Sequence, residues 1–327
     1  MSIDLSLENI WKTWFEFRKG KRFTSEFHSF QYHLERELYK LYRDLNSGTY
    51  QHGIYRKFVV SDNKRREISV AGIRDRIVHR LVYNYLTPIY NHTFSYDAWS
   101  CRVGKGLLGA IERTQQFIDS YPDSYVWKGD VRKFFDSVDQ PTLLGILSRK
   151  ITDEETFNPI SKIITGFSSD QVRRVGMPIG NLTSQIFANI YLNELDRYVQ
   201  HILRPVAYLR YGDDFVLIHS NLQELQQMQA SIKVFLQNRL KLVINRRNHL
   251  IIKSCKGLKF LGVQIWPSGR ALNTRNISRI HSRLNPTNIA GYSGIISRHG
   301  SHKQRTHFKW EVYEKIADGI EENSSKW

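Results

Sequence analysis

Cysteine is almost missing from this chain: Cys101 and Cys255 are the only two among 327 residues. Two thiols cannot build a disulfide framework or a cysteine-rich zinc site, so the sequence reads as a protein of a reducing compartment. Long apolar runs are missing too, and none approaches the roughly 18 residues of a membrane span. The start, "MSIDLSLENIWKTWFEF", has no apolar stretch behind a basic segment. No secretory signal is expected there, and a cytoplasmic location is. Acidic residues are scarce beside basic ones, 31 against 48, which leaves a formal net charge of +17. That excess favours a polyanionic partner, nucleic acid first and an acidic membrane surface second; a merely soluble basic protein would carry the same balance.

What is present is enough apolar matter for a substantial core. At 41% hydrophobic, the length suits two or three subdomains. No repeat and no low-complexity linker divides the chain. In "SFQYHLERELYKLYRDLNSGTY", Phe30, Leu34, Leu38 and Leu41 recur at helical spacing, and Ser47-Gly48 stops the helix. A strand-like "YRKFVVSD" leads into the basic turn "NKRREISV". The segment "IRDRIVHRLVYNYLTPIY" reads as a helix with Ile77, Leu81 and Tyr85 on one face. Further helical segments cover residues 106–120 and 141–170, and "GMPIGNLTSQIFANIYLNELDRYV" is a Gly-rich loop feeding an amphipathic helix. Roughly the last 55 residues are polar, basic and helical. Helices interleaved with antiparallel hairpins point to an α+β protein rather than a doubly wound sheet.

One pair of neighbours needs a reason. In "VAYLRYGDDFVLIHS", Asp213 and Asp214 separate two strand-like runs in which Ala207, Leu209, Phe215 and Leu217 alternate with Tyr208, Arg210, Val216 and Ile218. Gly212 at the first tight position is good hairpin chemistry. Taken alone, Gly-Asp is an ordinary solvated turn dipeptide. A metal site is the sharper reading, because Mg²⁺ prefers carboxylate oxygens and neutralises the repulsion that makes adjacent acids costly. Two such ions activate an attacking hydroxyl and stabilise a leaving pyrophosphate, which requires another carboxylate from a second strand. "WKGDVRKFFD" offers Asp130 at the end of the apolar "YVW", with Asp136 six residues on. Phosphoryl transfer mainly needs positioning and charge neutralisation. A strand-end acid, an acidic hairpin and a Gly-rich loop opening a helix supply both.

"DVRKFFDSVD", "GMPIGNLTSQ", "YGDD" and "GLKFLG" occur in an order and approximate spacing that resemble the palm motifs of reverse transcriptases. "NKRREI" and "IRDRIVHRLV" resemble the fingers motifs of bacterial retroelement enzymes, so the similarity covers roughly residues 15–315. It implies a right-hand polymerase with fingers, a ferredoxin-like palm whose antiparallel sheet is backed by helices, and a small helical thumb. The N-terminal segment and fingers would occupy 1–120, the palm 121–140 and 176–265, a fingers/palm helical insertion 141–175, and the thumb 266–327. The implied reaction is RNA-directed DNA synthesis from deoxynucleoside triphosphates with two Mg²⁺ ions, Mn²⁺ substituting.

By the same resemblance, Asp130, Asp213 and Asp214 are the catalytic, metal-binding acids, helped by the carbonyl of Val131. Phe135 matches a bulky gate that clashes with a ribose 2′-hydroxyl; in isolation it reads as a core aromatic beside Phe134. Lys64 and Arg66 match the residues that hold the incoming triphosphate, a task suited to a planar guanidinium; alone, "NKRRE" reads as a solvated turn. Ile179, Gly180 and Gln185 would lie against the nascent pair and template, with Gly176 and Gly180 admitting close backbone approach. Phe260, Leu261 and Gly262 match a primer-gripping hairpin. Arg74, Arg246, Arg247, Arg279 and Arg283 are candidate phosphate contacts that serve equally well as solvated surface. Salt-sensitive binding is expected if several act together.

The loop pattern Ile179-Gly180 followed by Ser184-Gln185 is similar to reverse transcriptases of diversity-generating retroelements. That implies a dedicated template RNA, errors at adenines and a small basic accessory protein. Gly212 departs from that branch, which usually has a larger residue there. The alternative branch is an antiviral-defence reverse transcriptase with a noncoding RNA partner or a second protein subunit. Outside the family, an RNA-dependent RNA polymerase also uses Gly-Asp-Asp, but Phe135 would obstruct a ribonucleotide. A non-catalytic nucleic-acid-binding module explains the charge but not three acids in this order.

Overall fold

The computed structural model describes residues 2–61, 65–170, 172–246 and 250–324. Three helices open the chain: α1 (Leu7–Arg18), α2 (Ser25–Tyr32) and α3 (Leu34–Asn46). The periodicity predicted one helix through Leu34, whereas His33 leaves helical geometry and ends α2. The break lets Phe27 of α2 stack on Trp14 while Leu38, Leu41 and Leu45 of α3 enter the same core along another axis. Gly48, at φ +70°, closes α3 in the left-handed conformation that glycine adopts freely.

Strands β1 (Arg56–Ser61) and β2 (Arg65–Val70) form an antiparallel hairpin whose first strand is exposed throughout. Helices α4 (Ile73–Tyr90) and α5 (Leu107–Ser120) follow, then β3 (Tyr125–Asp130) and the short α6 (Phe134–Ser137). The stretch expected to be helical over 141–170 is two helices, α7 (Gln140–Ser148) and α8 (Glu154–Thr165). Asp153 separates them by accepting from the Thr156 N–H as an N-cap. After α9 (Leu182–Tyr198) come β4 (Ala207–Tyr211), β5 (Asp214–His219), α10 (Leu222–Leu240) and β6 (Ile251–Lys253).

Those four strands make one antiparallel sheet in the order β4-β5-β3-β6. With helices between the first and second and the third and fourth, this is the ferredoxin-like split arrangement. Both faces are covered. Trp127, Tyr208, Phe215 and Leu217 join the larger core with the helices, while Val126, Leu209, Val216 and Ile218 join a second core. The grouping expected from simple alternation is therefore corrected. A two-residue loop pairs Leu209 with Val216 and Arg210 with Phe215, so cross-strand partners share a face. Helix α9 is likewise not amphipathic: twelve of its residues are buried, because it lies between the sheet and α4.

The second core is completed by a three-stranded sheet, β7 (Leu258–Phe260), β8 (Val263–Trp266) and β9 (Gly269–Leu272). Three helices end the chain: α11 (Thr274–Arg283), α12 (Ile289–His299) and α13 (His302–Ser324).

Candidate active site

The acidic hairpin and the strand-end acid meet at one corner of the central sheet. Asp130 closes β3 directly opposite Asp214, the first residue of β5. Gly212 and Asp213 form the loop between β4 and β5, with Gly212 at φ +64°. A positive φ at the first loop position alone is the sign pattern of a type II′ turn, which suits the twist of antiparallel strands. The Val131 N–H then donates to the Asp213 carbonyl at 3.4 Å, joining the end of β3 to the turn. Gly129 explains the tight approach of the two strands: a Cβ there would lie 2.2 Å from the Phe215 ring, which covers it. Asn245 binds Asp130 twice, its N–H to the carbonyl at 2.8 Å and its Nδ2 to Oδ2 at 3.1 Å. Lys128 Nζ stands 3.1 Å from Asp214 Oδ1.

Burial pushes the Asp213 carboxyl up to about 6, the charges of Asp214 and Asp130 add to the rise, and Arg66 opposes it. Like charges in a partly dry corner disfavour ionisation. The three carboxylates do not contract into a group with one oxygen from each within 4.8 Å of the others. The donors are hard oxygens and one acid is costly to ionise unaided. That set fits a divalent cation of the Mg²⁺ type.

A cavity of about 720 Å³ opens over Asp130 and Asp213, and Val131 and Asn245 line it beside them. Its other walls include Arg65, Arg66, Phe135, Ile179 and Arg246, so four of the sequence-predicted ligand-binding positions converge with the acids. Phe135 is half-buried against Phe134, at 5.3 Å between ring centroids, and its carbonyl accepts the Met177 N–H at 2.7 Å. The Ile179 carbonyl accepts the Ser69 N–H at 2.9 Å, and Asn181 brackets the same strand by bonding Ser69 and Ala71. The Gly-rich loop is thereby fixed to β2. Gly180, at φ +110°, has the Ile68 side chain where a Cβ would go, so a backbone of another residue could not sit as close.

Other expected positions fall elsewhere. Gln185 is exposed on the first turn of α9. Arg74 is held by Asp44 at 2.6 Å and lies over the Tyr50 ring at 5.2 Å, so its guanidinium is engaged within the protein. Phe260 is a core residue, 1% exposed, and the half-exposed part of its hairpin is the tip made by Leu261 and Gly262. Leu261 is held at φ +48°, a conformation that non-glycine residues rarely adopt, and Asn276 bonds the Gly262 carbonyl at 3.0 Å. Arg279 is half-buried and Arg283 exposed on α11. Lys64 and Arg247 lie outside the described residues.

Sequence reasoning missed Asn245 and Arg65 in the cavity wall, Lys128 beside Asp214, and a buried network beneath the turn. In that network Arg210 grips Asp196 through Nε at 2.7 Å and Nη2 at 2.6 Å, while its Nη1 donates to the Gly212 carbonyl at 2.9 Å.

Right-hand polymerases are built on a split βαββαβ palm with acids at the strand ends, and this fold is of that class. A family model described as reverse transcriptase (RNA-dependent DNA polymerase) matches residues 56–265. With more than half of its length so matched, the chain belongs to the reverse transcriptase family. The group II intron-encoded protein LtrA of Lactococcus lactis subsp. cremoris is 22% identical over 300 residues, covering 71% of this chain and 50% of LtrA. Protein YkfC of Escherichia coli (strain K12) is 27% identical over 267 residues, covering 69% and 70% of the two chains. The chain thus spans about half the length of LtrA. Among solved structures, apo telomerase from Candida tropicalis aligns over 84% of this chain and 58% of its own at 11% identity, with a TM-score of 0.52. Telomerase from Candida albicans aligns over 76% and 51% at 12% identity, with a TM-score of 0.51. These two are likenesses of fold. No helix among the described residues is long and apolar enough to cross a membrane.

Proposed function

We propose that the protein is an RNA-directed DNA polymerase that copies a dedicated template RNA with low fidelity. The observation that carries the reading is the convergence of Asp130 and Asp213 on the floor of a cavity walled by Arg65 and Arg66, with Asp214 directly across the strand pair from Asp130. Asp130, Asp213, Asp214 and the Val131 carbonyl would hold two Mg²⁺ ions, or Mn²⁺ in their place. Bound there, such ions neutralise triphosphate charge and make the primer 3′-hydroxyl a stronger nucleophile.

The chain's own side chains do the rest. Arg66, with Arg65 beside it and Lys64 adjoining in sequence, binds the triphosphate of a deoxynucleotide through guanidinium–phosphate contacts. Phe135 fills the space that a ribose 2′-hydroxyl would need. Ile179 meets the nascent base pair with an apolar surface, which lacks a hydrogen bond to test pair geometry, so errors pass. Gln185 lies under the template, the Leu261–Gly262 tip steadies the primer end, and Arg246, Arg279 and Arg283 meet phosphates. Similarity to an intron-encoded protein supports a retroelement setting. The Ile179-Gly180 and Ser184-Gln185 pattern favours the diversity-generating branch, with a small basic accessory protein as partner.

The test is extension of a primed RNA template by the purified protein with Mg²⁺, comparing deoxynucleotides with ribonucleotides and sequencing the products. DNA that disappears in Asp213→Asn is the expected result, with errors clustered at template adenines in the diversity-generating case. DNA of repetitive or untemplated sequence would instead assign the antiviral-defence role with a noncoding RNA. Ribonucleotide incorporation at equal rate overturns the Phe135 assignment. Synthesis undiminished in Asp213→Asn overturns the site.

A further inference from the structure

Outside the polymerase site, two helices of the C-terminal unit aim nitrogen and oxygen donors at one point. Helix α11 carries His281, and α13 carries His307 and Glu311, four residues apart and so on one face of the helix. His281 Nδ1 contacts Glu311 Oε2, and His307 Nε2 lies 3.7 Å from the other oxygen of the same carboxylate. The two imidazoles pack with centroids 4.9 Å apart. One donor atom from each of the three residues lies within 4.8 Å of the other two.

We propose that His281, His307 and Glu311 bind a zinc-like divalent transition-metal ion that pins α13 to α11. Two imidazole nitrogens and one carboxylate oxygen are borderline donors, suited to Zn²⁺ and poorly suited to Mg²⁺, which takes oxygen ligands. In a tetrahedral zinc site, bonds of about 2.0–2.2 Å separate neighbouring donors by roughly 3.3 Å. The observed spacing reaches that by small side-chain rotations. Three protein ligands leave one position for water. His307, with 64% of its side chain exposed, leaves the ion a path in, while His281 and Glu311 are half-buried and hold its inner side.

The packing says why such a clip matters. Among the described residues α13 buries one apolar side chain, Phe308, and leaves Trp310, Tyr313 and Ile316 exposed. A helix held by so little apolar surface gains much from a ligand that bridges it to its neighbour, as metal-stapled small units do.

The full chain is titrated with Co²⁺ and then Zn²⁺, beside Glu311→Gln, His307→Ala and Asp213→Asn. Co²⁺ in a tetrahedral nitrogen-and-oxygen site absorbs strongly in the visible, whereas Co²⁺ among carboxylates and water absorbs weakly. Wild type and Asp213→Asn are expected to show the intense band, displaced by Zn²⁺. Glu311→Gln and His307→Ala are expected to bind at least about tenfold more weakly. Zn²⁺ should also raise the melting temperature of wild type and not of those two variants. His307 is exposed, so its replacement leaves folding intact, and circular dichroism checks this. Absence of the band in wild type means that the carboxylate serves the two imidazoles by hydrogen bonding alone, and overturns the proposal. A band of equal strength in Glu311→Gln and His307→Ala does so too.

Discussion

Two aspartates, one in the turn of a hairpin and one on the helix packed beneath it, meet opposite treatment. Asp196 on α9 is fully buried and completely answered: Arg210, 1% exposed, binds both its oxygens, and the Tyr208 hydroxyl donates at 2.7 Å. Burial and the Asp196 charge push that hydroxyl well above its usual range. Asp213, one residue past the Gly212 carbonyl that Arg210 holds, is half-buried and faces Asp214 and Asp130, with Arg66 the opposing cation. A buried charge is tolerable when an internal partner and hydrogen bonds satisfy it. The first pair is closed by the protein itself; in the second cluster burial and the neighbouring acids make Asp213 costly to ionise, a cost that a cation from solution would offset. The closed pair also holds the turn on which the open cluster sits.

The largest way to break the comparison is to remove charge from the open side. Asp213→Asn should cost at least about a thousandfold in primer extension, the several kcal/mol that a bound cation contributes to the transition state. Without metal, its melting temperature at neutral pH should stay level or rise, because a repelling charge has gone. Removing charge from the closed side should do the reverse. Asp196→Asn or Arg210→Gln leaves an unpaired buried group and should lower unfolding free energy by about 3–5 kcal/mol in urea melts. Replacing both, as Arg210→Met with Asp196→Leu, should recover much of that stability but little activity, since the Gly212 carbonyl loses its donor. Full recovery of both would show that Arg210 does not position the turn.

A third, smaller difference is in pH. Burial, with Asp214 and Asp130 next, raises Asp213 from 3.8 to about 6, so the folded protein keeps a proton that the unfolded chain releases. Stability from this group is complete below the unfolded value and is lost as pH rises through the folded one. Metal-free wild type should therefore lose up to about 3 kcal/mol between roughly pH 4 and pH 7 relative to Asp213→Asn. Saturating Mg²⁺ should flatten the difference. Parallel profiles without metal would mean that Asp213 ionises at an ordinary pH.

These carboxylates are legible in the sequence because a strand-end acid and an acidic two-residue loop are local signals, read within about ten residues. Strands β3, β4 and β5 are legible for the same reason, as short apolar runs beside turn residues, whereas the split arrangement is implied only by the resemblance and β6, three residues long, is not read as a strand. Lys128 and Arg210 carry a signal that periodicity alone undervalues: each is a cation inside an otherwise apolar strand, where a partner is required. Lys128, two residues before Asp130, necessarily shares its face. Asn245 has no local signal at all, since its contact arises only when the chain after α10 returns beside Val131. The break at His33 was hidden because both halves keep helical spacing, and only the three-dimensional core decides that their axes diverge.

The smallest test concerns the pair that stands between the two extremes. Lys128 reaches Asp214 at 3.1 Å and lies 5.8 Å from the centroid of the Phe260 ring, yet both members of the ion pair are more than a quarter exposed, so water competes for the ammonium. Such a pair contributes at most about 1 kcal/mol. Its ammonium occupies one oxygen of an acid in the open cluster and opposes a second positive charge there. Lys128→Gln should thus change metal-free stability by less than about 1 kcal/mol and lower the half-saturating Mg²⁺ concentration for extension by about two- to fivefold. A rise in that concentration would mean that Lys128 orients Asp214 for the cation rather than competing with it, and would move Lys128 to the same side of the comparison as Arg210.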